Sequence, residues 1–506
     1  MKYDAIVIGA GLGGLTAGAK LAKEGKKVLL IEQHTIPGGC ATTFRRKDFT
    51  VEVGLHEMDG LDAEENPSVK ILEDLGAFDN VQFVRVPEFY RFTNQRVDIV
   101  VPFGLEEAMD VLVKHFPRDE KGIRKVFKLF TSIQKEFGRL PRGKWKMLAL
   151  FPVLPLMCPN IIFRENSNVG EFLDSIISDE DLKLVLLGNT VFYYHYNPYT
   201  MSLLMYAAGQ TSYLSGGGHY IKGGSQKLSD YLANVISNNG GEVLLRHLVT
   251  EIITEGNRAV GVRYIRKSGE DKETREALGN YIVANAAIPN VANELLPSCE
   301  GKTRLLSTIS NQEIANSYSG VFIGFKKPLK ELGNDNYSTL VFDENISNQS
   351  DLERNLRGDY SSRSFIFADY SQIDSQLAPE GKGFGVIGGV DFISDWEHLN
   401  EDEYKARKTE MAQKYIERLD RLIPGASNEI EYYEASTPKT IKRYTLNPGG
   451  SALGFANIPK QFGRKRIPQK EPIENLYFAS AWTVPCGGFS GTIASGYLCA
   501  REILKK

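Results

Sequence analysis

The sequence predicts an α/β fold built around a dinucleotide-binding unit, and two observations carry this prediction. Residues 4–32 are predicted to form strand, glycine-rich turn, helix and strand, and residues 476–504 repeat the order of strand, glycine-rich loop and helix. In both places a helix begins where glycines follow an apolar strand, which is typical of phosphate binding at a helix N-terminus. With 506 residues, the chain is long enough for more than one structural region.

The N-terminal turn fits the pattern G-x-G-x-x-G at Gly9, Gly11 and Gly14, with Gly13 inside it. Gly9 is expected to permit the tight turn, Gly11 to let the backbone approach a pyrophosphate, and Gly14 to let the helix pack closely on the strands. Glu32 closes the second strand, where a carboxylate can accept hydrogen bonds from a ribose. The unit therefore predicts dinucleotide binding.

A second glycine pair favours FAD over a nicotinamide dinucleotide. Gly38 and Gly39 follow shortly after Glu32, which indicates that the backbone approaches an extended ligand again. Arg45 and Arg46 can add positive charge near the phosphates. Nicotinamide domains usually continue with another βαβ unit at this point, whereas flavin domains of the glutathione-reductase type do not. We therefore expect a glutathione-reductase-type FAD-binding Rossmann domain.

Composition excludes several classes of function. The net charge is −3, so no global positive field attracts nucleic acid. The five cysteines are dispersed without C-x-x-C, and the seven histidines lack metal-binding spacing, so neither a disulfide framework nor a metal site is predicted. Asp4 interrupts the apolar start, which argues against a signal peptide. We expect a cytoplasmic protein.

The middle of the chain predicts a substrate-binding region of mixed strands and helices. Helical periodicity dominates residues 105–189 and includes one amphipathic helix over 122–137. The glycine-rich stretch 215–225 is predicted to be a return loop. Further elements are predicted as strands over 249–254, 259–264 and 317–325 and as a long amphipathic helix over 401–422.

Aromatic residues concentrate just before the predicted return loop and have two interpretations. They are Phe192, Tyr193, Tyr194, Tyr196, Tyr199, Tyr206 and Tyr213. One interpretation is ordinary packing in the core. The other is a wall that lines a long apolar tunnel. Tyr206 and Tyr213 have the spacing of one helix face, although Gly209 and Ser212 weaken that helix prediction.

The segment 139–163 combines positive charge with an apolar run. Its cations, Arg139, Arg142, Lys144 and Lys146, surround Trp145, and the apolar residues that follow are interrupted by prolines. The run is too short to span a bilayer. It fits a segment that dips into one leaflet, with cations at the headgroups and the tryptophan at the interface. This interpretation predicts a protein peripheral to a membrane; the alternative is a buried loop.

The C-terminal unit predicts a second contact with the flavin. Its strand ends at Ala481, and the following loop contains Gly487, Gly488 and Gly491 before a helix rich in small residues. If this unit meets the first, its helix N-terminus can stabilise the anion that forms when a flavin is reduced. The alternative is a terminal helix that only docks on the protein.

Together these features resemble the phytoene desaturase, carotenoid isomerase and retinol saturase superfamily of FAD-dependent oxidoreductases. The resemblance rests on both glycine-rich units, on Val249 in its strand and on the strand end Val283-Ala284-Asn285-Ala286. It implies that the backbone of Val249 pairs with adenine, and that the strand ends at Ala284 and Ala481 allow close approach of the cofactor. The other residues implied to hold FAD are Gly9, Gly11, Gly13, Gly14, Glu32, Gly38, Gly39, Arg45, Gly488, Phe489, Ser490, Gly491 and Thr492.

The same resemblance implies saturation, isomerisation or desaturation of double bonds in a polyene or isoprenoid lipid. Desaturases commonly carry an acidic residue, then glycine, then a small hydroxyl residue after the third strand. Here the run is Glu52-Val53-Gly54-Leu55-His56, and its Gly-x-His form looks more like the saturase-like branch. His56 is therefore a candidate catalytic residue; the alternative is a structural, hydrogen-bonded histidine.

Two other functions are compatible with the scaffold. An amine-oxidase-like enzyme would act on a small amine, and an acidic substrate mouth would favour it. A non-enzymatic lipid-escort protein, like the Rab escort and GDP-dissociation-inhibitor proteins, need not keep the flavin site, so the intact glycines argue against this class. The sequence predicts no particular oligomeric state.

The predicted domains are discontinuous in the chain. The FAD-binding domain is assembled from residues 1–80, 216–290 and 467–506, and an α+β substrate domain from 81–115 and 291–466. Residues 116–215 are predicted to form a helical lid that contacts the membrane.

Overall fold

The computed structural model describes residues 2–140, 149–267, 273–470 and 472–506. In chain order, its strands are β1 Lys2–Ile8, β2 Val28–Ile31, β3 Thr43–Arg46, β4 Phe49–Glu52, β5 Met58–Asp59, β6 Phe83–Arg85, β7 Tyr90–Thr93, β8 Asp98–Val101, β9 Gly218–Ile221, β10 Glu242–Leu244, β11 His247–Glu255, β12 Arg258–Arg266, β13 Arg275–Ala284, β14 Ser317–Phe325, β15 Ser338–Val341, β16 Phe365–Asp369, β17 Gly383–Asp391, β18 Ile430–Ser436 and β19 Leu476–Phe478.

The α-helices, numbered in the same way, are α1 Leu12–Lys23, α2 Pro67–Leu75, α3 Leu105–His115, α4 Glu120–Arg139, α5 Leu154–Met157, α6 Pro159–Phe163, α7 Val169–Asp174, α8 Glu180–Leu187, α9 Thr190–Tyr193, α10 Leu203–Gly216, α11 Gln226–Asn238, α12 Ile288–Asn290, α13 Glu300–Ile309, α14 Leu352–Leu356, α15 Glu401–Leu422, α16 Pro438–Thr445 and α17 Phe489–Leu504. The chain is thus a mixed α/β fold, as the sequence predicts.

The first sheet has the strand order β10-β2-β1-β13-β12-β11, with β19 beside the end of β13. Strands β10, β2, β1, β13 and β19 run parallel, so their carboxyl ends lie at one edge. In β1, Ala5 and Val7 pack on one face against α1, α11 and α17, while Ile6 and Ile8 pack on the other. Both faces are covered, which explains why these strands have continuous apolar sequences instead of alternating ones.

The second sheet has the order β18-β14-β17-β16-β15-β7-β8 and is mostly antiparallel. One of its faces, which includes Phe322, packs against the helical segment α3–α10. The opposite face, which includes Val321 and Ile323, packs against α15. Phe322 and its neighbours Val321 and Ile323 lie on opposite faces because successive side chains of a strand alternate between the two sides of the sheet. Helix α15 begins with a capping box, in which Asn400 and Glu403 satisfy each other's backbone N–H groups.

Helices α5 and α6, together with the 3₁₀ turn Phe151–Val153 that precedes them, present apolar side chains to solvent. The exposed fractions are 85% for Leu156, 74% for Phe163 and 61% for Phe151. These side chains are therefore not part of a buried loop. Three of the cationic positions and the tryptophan of the predicted membrane segment, Arg142, Lys144, Trp145 and Lys146, lie outside the described residues. Among the described helices, none is both long and apolar enough to cross a bilayer.

The structure differs from the predicted elements at two places. The predicted return loop over 215–225 contains β9, which pairs with both β5 and β6. The glycines of this stretch are typical of a loop. The hydrogen bonds that make it a strand go to residues that are distant in sequence, so the local pattern does not predict them. Helix α10 is continuous through Gly209, and a Cβ there would lie 2.3 Å from the Tyr194 hydroxyl oxygen. The glycine that weakens the helix prediction is required for the packing of that tyrosine.

Candidate functional site

The N-terminal glycine turn meets two other segments at the carboxyl edge of the first sheet. Gly38 N donates to Ala10 O at 2.7 Å, which places the second glycine pair against the turn. Asn285 N donates to Ile8 O at 2.8 Å, and Ala479 N donates to Ala284 O at 3.0 Å. The ends of β1, β13 and β19 therefore converge where parallel α/β sheets bind ligands.

Close backbone contacts explain why glycines occupy this turn. A Cβ at Gly13 would lie 2.2 Å from Ala479 O, and a Cβ at Gly14 would lie 2.3 Å from Gly9 O. Gly9 itself has φ +92°, a left-handed value that strains other residues. Gly39 (φ +61°) lies over Gly11, because its Cβ would approach the Gly11 Cα to 3.3 Å. The helix N-terminus is thus left without side chains between it and a ligand.

Asn285 joins the segments, and the sequence reasoning did not single it out. In the amide orientation that satisfies both groups, its side-chain oxygen accepts from Gly11 N at 2.8 Å and its nitrogen donates to Ala479 O at 2.6 Å. A polar residue directly after a strand of a dinucleotide-binding sheet is the signal that could have identified it.

Glu32 is buried and oriented by the backbone. Its Oε2 accepts from Ala10 N at 2.7 Å and its Oε1 accepts from His34 N at 2.8 Å. Its carbonyl oxygen accepts from His247 N at 2.8 Å, so Val249, which is buried farther along β11, lies near the same edge. Glu32 and Val249 are therefore brought to the glycine turn. The Arg45 side chain is exposed on the β3–β4 hairpin, and no hydrogen bond between described residues connects it to the turn.

The C-terminal glycine unit packs directly on the N-terminal one. A Cβ at Gly496 of α17 would lie 2.2 Å from Gly13 O of α1. At the start of α17, Gly488 has φ +83°, and Ser490 Oγ donates to Asp59 Oδ1 at 2.5 Å. The Phe489 ring lies 4.9 Å from the His56 ring, measured between centroids. The helix is therefore more than a surface attachment, because its N-terminus meets the segment 56–59.

Arg466 organises the loop that leads to α17, although no sequence motif identifies it. Its guanidinium is buried and donates to Ala481 O at 2.7 Å and to Thr483 O at 2.9 Å. Burial lowers the pKa of Arg466 to about 10, and the nearby Cys486 thiol partly opposes this shift. A buried cation that bonds to carbonyl oxygens fixes the loop and adds positive potential near it.

His56 is held by a buried carboxylate. Glu52 Oε1 accepts from His56 Nδ1 at 2.8 Å and from Ser225 Oγ at 2.7 Å, and Oε2 accepts from Tyr220 Oη and Ser225 N, both at 2.8 Å. Burial would raise the pKa of Glu52, but the positive charge of His56 and these hydrogen bonds lower it below its usual value. Glu52 is therefore ionised and fixes the orientation of the imidazole.

Several residues indicate an interior cavity between His56 and the aromatic stretch. Burial raises the pKa of Glu57 and Tyr193 well above their usual values and that of Cys486 to about 11, yet each residue keeps accessible surface. From this combination we infer that the three residues border a recess, which would lie beside α17 and the glycine loop.

Most of the aromatic stretch belongs to the core. Phe192, Tyr206 and Tyr213 are buried, and Tyr213 stacks on Phe89 with ring centroids 5.4 Å apart. His195 is also buried, and burial lowers its pKa to about 4. Tyr193 and Tyr199 both combine a burial-raised pKa with accessible surface, but the Tyr199 hydroxyl donates to Asp174. The wall interpretation therefore applies to Tyr193, and core packing applies to its buried neighbours.

We expect Gly11→Val to yield protein with little bound flavin. A side chain at Gly11 would meet the Asn285 amide, because even a Cβ would lie 2.6 Å from the nearer amide atom, and the branched methyl groups would block the approach of a phosphate. The measurement is flavin absorbance per protein after purification. Gly138→Ala is the matched control, since no heavy atom lies within 4 Å of the new Cβ. Full flavin content in the Gly11 variant would place the cofactor elsewhere.

We expect Glu52→Gln to lower the free energy of unfolding at neutral pH and to make that free energy depend less on pH in the acidic range. Because the folded pKa of Glu52 is lowered, its contribution is present above the unfolded pKa of about 4.3 and is lost as pH falls through the folded value. Removing one charge from a buried pair costs about 3–5 kcal/mol. Thermal unfolding from pH 7 to pH 3 measures both effects, with the exposed Glu65→Gln as control. Parallel stability curves for the Glu52 variant and wild type would contradict the ionised assignment.

Comparisons with known proteins extend over nearly the whole chain. An all-trans-retinol 13,14-reductase of Danio rerio is 29% identical over 548 aligned residues, which cover 99% of this chain and 86% of that protein. A chloroplastic prolycopene isomerase of Daucus carota is 26% identical, with 99% of this chain and 80% of that protein covered. These relatives confirm the predicted resemblance to the superfamily that includes carotenoid isomerases and retinol saturases.

A solved structure supports the fold. That of an oxidoreductase from Methanosarcina mazei superposes with a TM-score of 0.65 over 99% of this chain and 100% of that chain, at 18% identity. The model of the family described as flavin containing amine oxidoreductase matches residues 12–504. The chain therefore belongs to the flavin-containing amine oxidoreductase family and is a flavin-dependent oxidoreductase.

Proposed function

We propose that the protein uses FAD to change a double bond of a polyene or isoprenoid lipid. The observation that carries this proposal is that the two glycine-rich helix N-termini meet beside the segment 56–59, where Tyr193 lies close enough to Glu57 for their charges to interact. The similarity to proteins named for retinol reduction and prolycopene isomerisation supports a polyene as the substrate class.

The residues present fit FAD. The turn of Gly9, Gly11, Gly13 and Gly14 leaves no room for side chains, and Glu32 is already oriented towards it. These residues would hold the pyrophosphate and a ribose, with Val249 at the adenine. The remaining assignments are Gly38, Gly39, Arg45, Ala284 and Ala481 along the extended cofactor, and Gly488, Phe489, Ser490, Gly491 and Thr492 against the flavin ring.

The domain division of the chain is part of the same proposal. The first sheet draws its strands from residues 2–31, 242–284 and 476–478, which supports an FAD-binding domain made of 1–80, 216–290 and 467–506. The second sheet draws on 90–101 and 317–436, which supports a substrate domain made of 81–115 and 291–466. Residues 116–215 cover that sheet as a helical lid.

When bound, FAD supplies a hydride or electrons. The protein must hold a chain without charged groups, exclude water and position one double bond. Apolar walls do this, because each buried CH₂ contributes roughly 0.8 kcal/mol and a long chain contributes many. His56, fixed by Glu52 and packed on Phe489, is the candidate residue beside the reacting bond. The Gly54-Leu55-His56 run favours saturation or isomerisation over desaturation.

A small amine is the second candidate substrate, and one observation favours it. Glu57, Asp59 and Glu88 lie close enough for their charges to influence one another, so the cavity has an acidic side. A cationic amine would bind there only by displacing the proton that this environment favours on Glu57. The family name points to the same chemistry, although the relatives named for polyene reactions cover nearly the whole chain.

We also propose that the protein works at a membrane surface and docks through α5 and α6. Leu156, Phe163 and Phe151 form the exposed apolar set, and Arg139 precedes them. A lipid bilayer fits this surface because the sequence places cations and a tryptophan beside an apolar run, as in interfacial segments. Such a site would let an apolar substrate enter from lipid.

We expect the photoreduced protein, kept anaerobic, to convert all-trans-retinol to a saturated product or prolycopene to an isomer. Chromatography of the extracted lipids measures the product. Conversion by the oxidised protein only, and only with an added electron acceptor, would indicate desaturation instead. Anaerobic bleaching of the oxidised flavin by small amines, with no polyene product in either redox state, would establish the amine alternative.

We expect the protein to float with vesicles that contain anionic lipid. Replacing Phe151, Leu156 and Phe163 by serine should lower the vesicle-bound fraction at least about tenfold, because inserting each side chain contributes roughly 1.5–3 kcal/mol. Leu498→Ser, a 39% exposed leucine on α17, is the matched control and should float like wild type. Equal recovery of wild type and triple variant away from the lipid fraction would refute docking.

A further inference from the structure

Glu57 lies in the interior between the candidate flavin site and the aromatic residues. It follows His56 directly and precedes β5, whose Asp59 is bonded to Ser490 of α17. Its carboxyl group occupies the space above Gly218 of β9, because a Cβ there would lie 1.8 Å from Glu57 Oε1. Only glycine at position 218 leaves room for this carboxyl group.

The Glu57 carboxyl group is exceptional among the buried acids nearby. Glu52 accepts hydrogen bonds on both oxygens, and Glu88 Oε1 accepts from Tyr337 N at 2.6 Å and from Ser338 N at 3.2 Å. Glu57 Oε1 is buried and has no hydrogen-bond partner among the described residues. Unsatisfied buried polar atoms are rare and often mark functional groups.

The surroundings of Glu57 favour the neutral acid. Burial raises its pKa well above the usual value, and the negative charges of Asp59 and Glu88 raise it further. The other titratable groups that face it are tyrosine hydroxyls, which carry no charge at neutral pH: Tyr193, Tyr194, Tyr213, Tyr337 and Tyr370. These surroundings therefore favour a protonated Glu57, and the residue as a whole keeps accessible surface although its Oε1 is buried.

We propose that Glu57 is the proton donor of the polyene reaction, a catalytic role that rests on the proposed function. In saturation, the Glu57 O–H bond breaks and a C–H bond forms at one carbon of the double bond. The other carbon receives the hydride that reduced flavin supplies, so the π bond is lost and two electrons and two hydrogens are added. The carboxylate then regains a proton from water.

His56 is less suited to that role. Its Nδ1 is bonded to the ionised Glu52, and its ring packs on Phe489, so the imidazole serves to position the site. Glu57, by contrast, favours the protonated acid and can donate a proton. Its Oε1 has no hydrogen-bond partner among the described residues, and the residue keeps accessible surface. General-acid catalysis by a positioned group contributes about 10²–10⁴-fold to a rate.

The test compares Glu57→Gln with wild type as flavin-loaded, photoreduced proteins in D₂O with all-trans-retinol. The variant is expected to keep its flavin absorbance and thermal midpoint and to form saturated product at least about 100-fold more slowly. Both carbons of the reduced double bond in the wild-type product should carry deuterium, because the Glu57 proton and the hydride of a flavin photoreduced in D₂O both derive from solvent. The exposed Glu64→Gln is the matched control and should react like wild type. Unchanged product formation by the Glu57 variant overturns the proposal.

An infrared measurement separates this proposal from the proposed function. The difference spectrum of wild type minus Glu57→Gln at pH 7 should contain the C=O stretch of a protonated carboxylic acid. This measurement is made without any polyene. A carboxylate band in its place overturns the proton-donor role even if wild type converts retinol. If the acid band is present and wild type converts no polyene but is reduced by amines, the proposed function fails and the proton-donor role fails with it, although Glu57 is a neutral acid.

Discussion

The structure depends on a contact between two helices that approach each other closely through glycines. Helix α1 and helix α17 cross at Gly13 and Gly496, and Gly13 also lies against Ala479 O. Added methylene groups in a packed interior cost about 1–3 kcal/mol, and here they would also separate the two helix N-termini. Because the helices come from opposite ends of the chain, this contact assembles the candidate flavin site. Asn285 and Arg466 then fix the loops on either side of it.

Two glutamates on one short segment illustrate how environment selects chemistry. Glu52 has four hydrogen-bond donors, one of which is the His56 ring, and its pKa is lowered. Glu57 has a buried oxygen without a donor and acidic neighbours, and its pKa is raised. Pairs of carboxyl groups whose pKa values are driven apart are typical of acid–base sites. The difference comes from β9 and the residue before α11. Tyr220 and Ser225 donate hydrogen bonds to Glu52, whereas β9 presents only Gly218 to the Glu57 carboxyl group.

Sequence patterns predicted the local elements well and the long-range contacts poorly. The strand Ser317–Phe325 and the helix Glu401–Leu422 match their predictions, because hydrophobic period and caps are local signals. Strand β9 was missed because its partners, β5 and β6, are distant in sequence and its first residue is a glycine. Gly9, Gly11 and Gly14 were recognisable from spacing, whereas Arg466 and Asn285 act through contacts that no spacing encodes.

The role of Glu57 could not be predicted for a related reason. In the sequence, Glu57 is an ordinary acidic residue next to His56 in a polar run. The lack of a hydrogen-bond donor to its carboxyl group cannot be predicted from the sequence. Its state also bears on the choice between substrates. A neutral acid in an aromatic cavity gives no counter-ion to an amine, since a cation would have to displace the proton against desolvation and two nearby negative charges. A polyene needs no counter-ion and can accept that proton at carbon. The unsatisfied oxygen over Gly218 therefore favours the polyene on energetic grounds that are independent of the similarity to retinol and prolycopene enzymes.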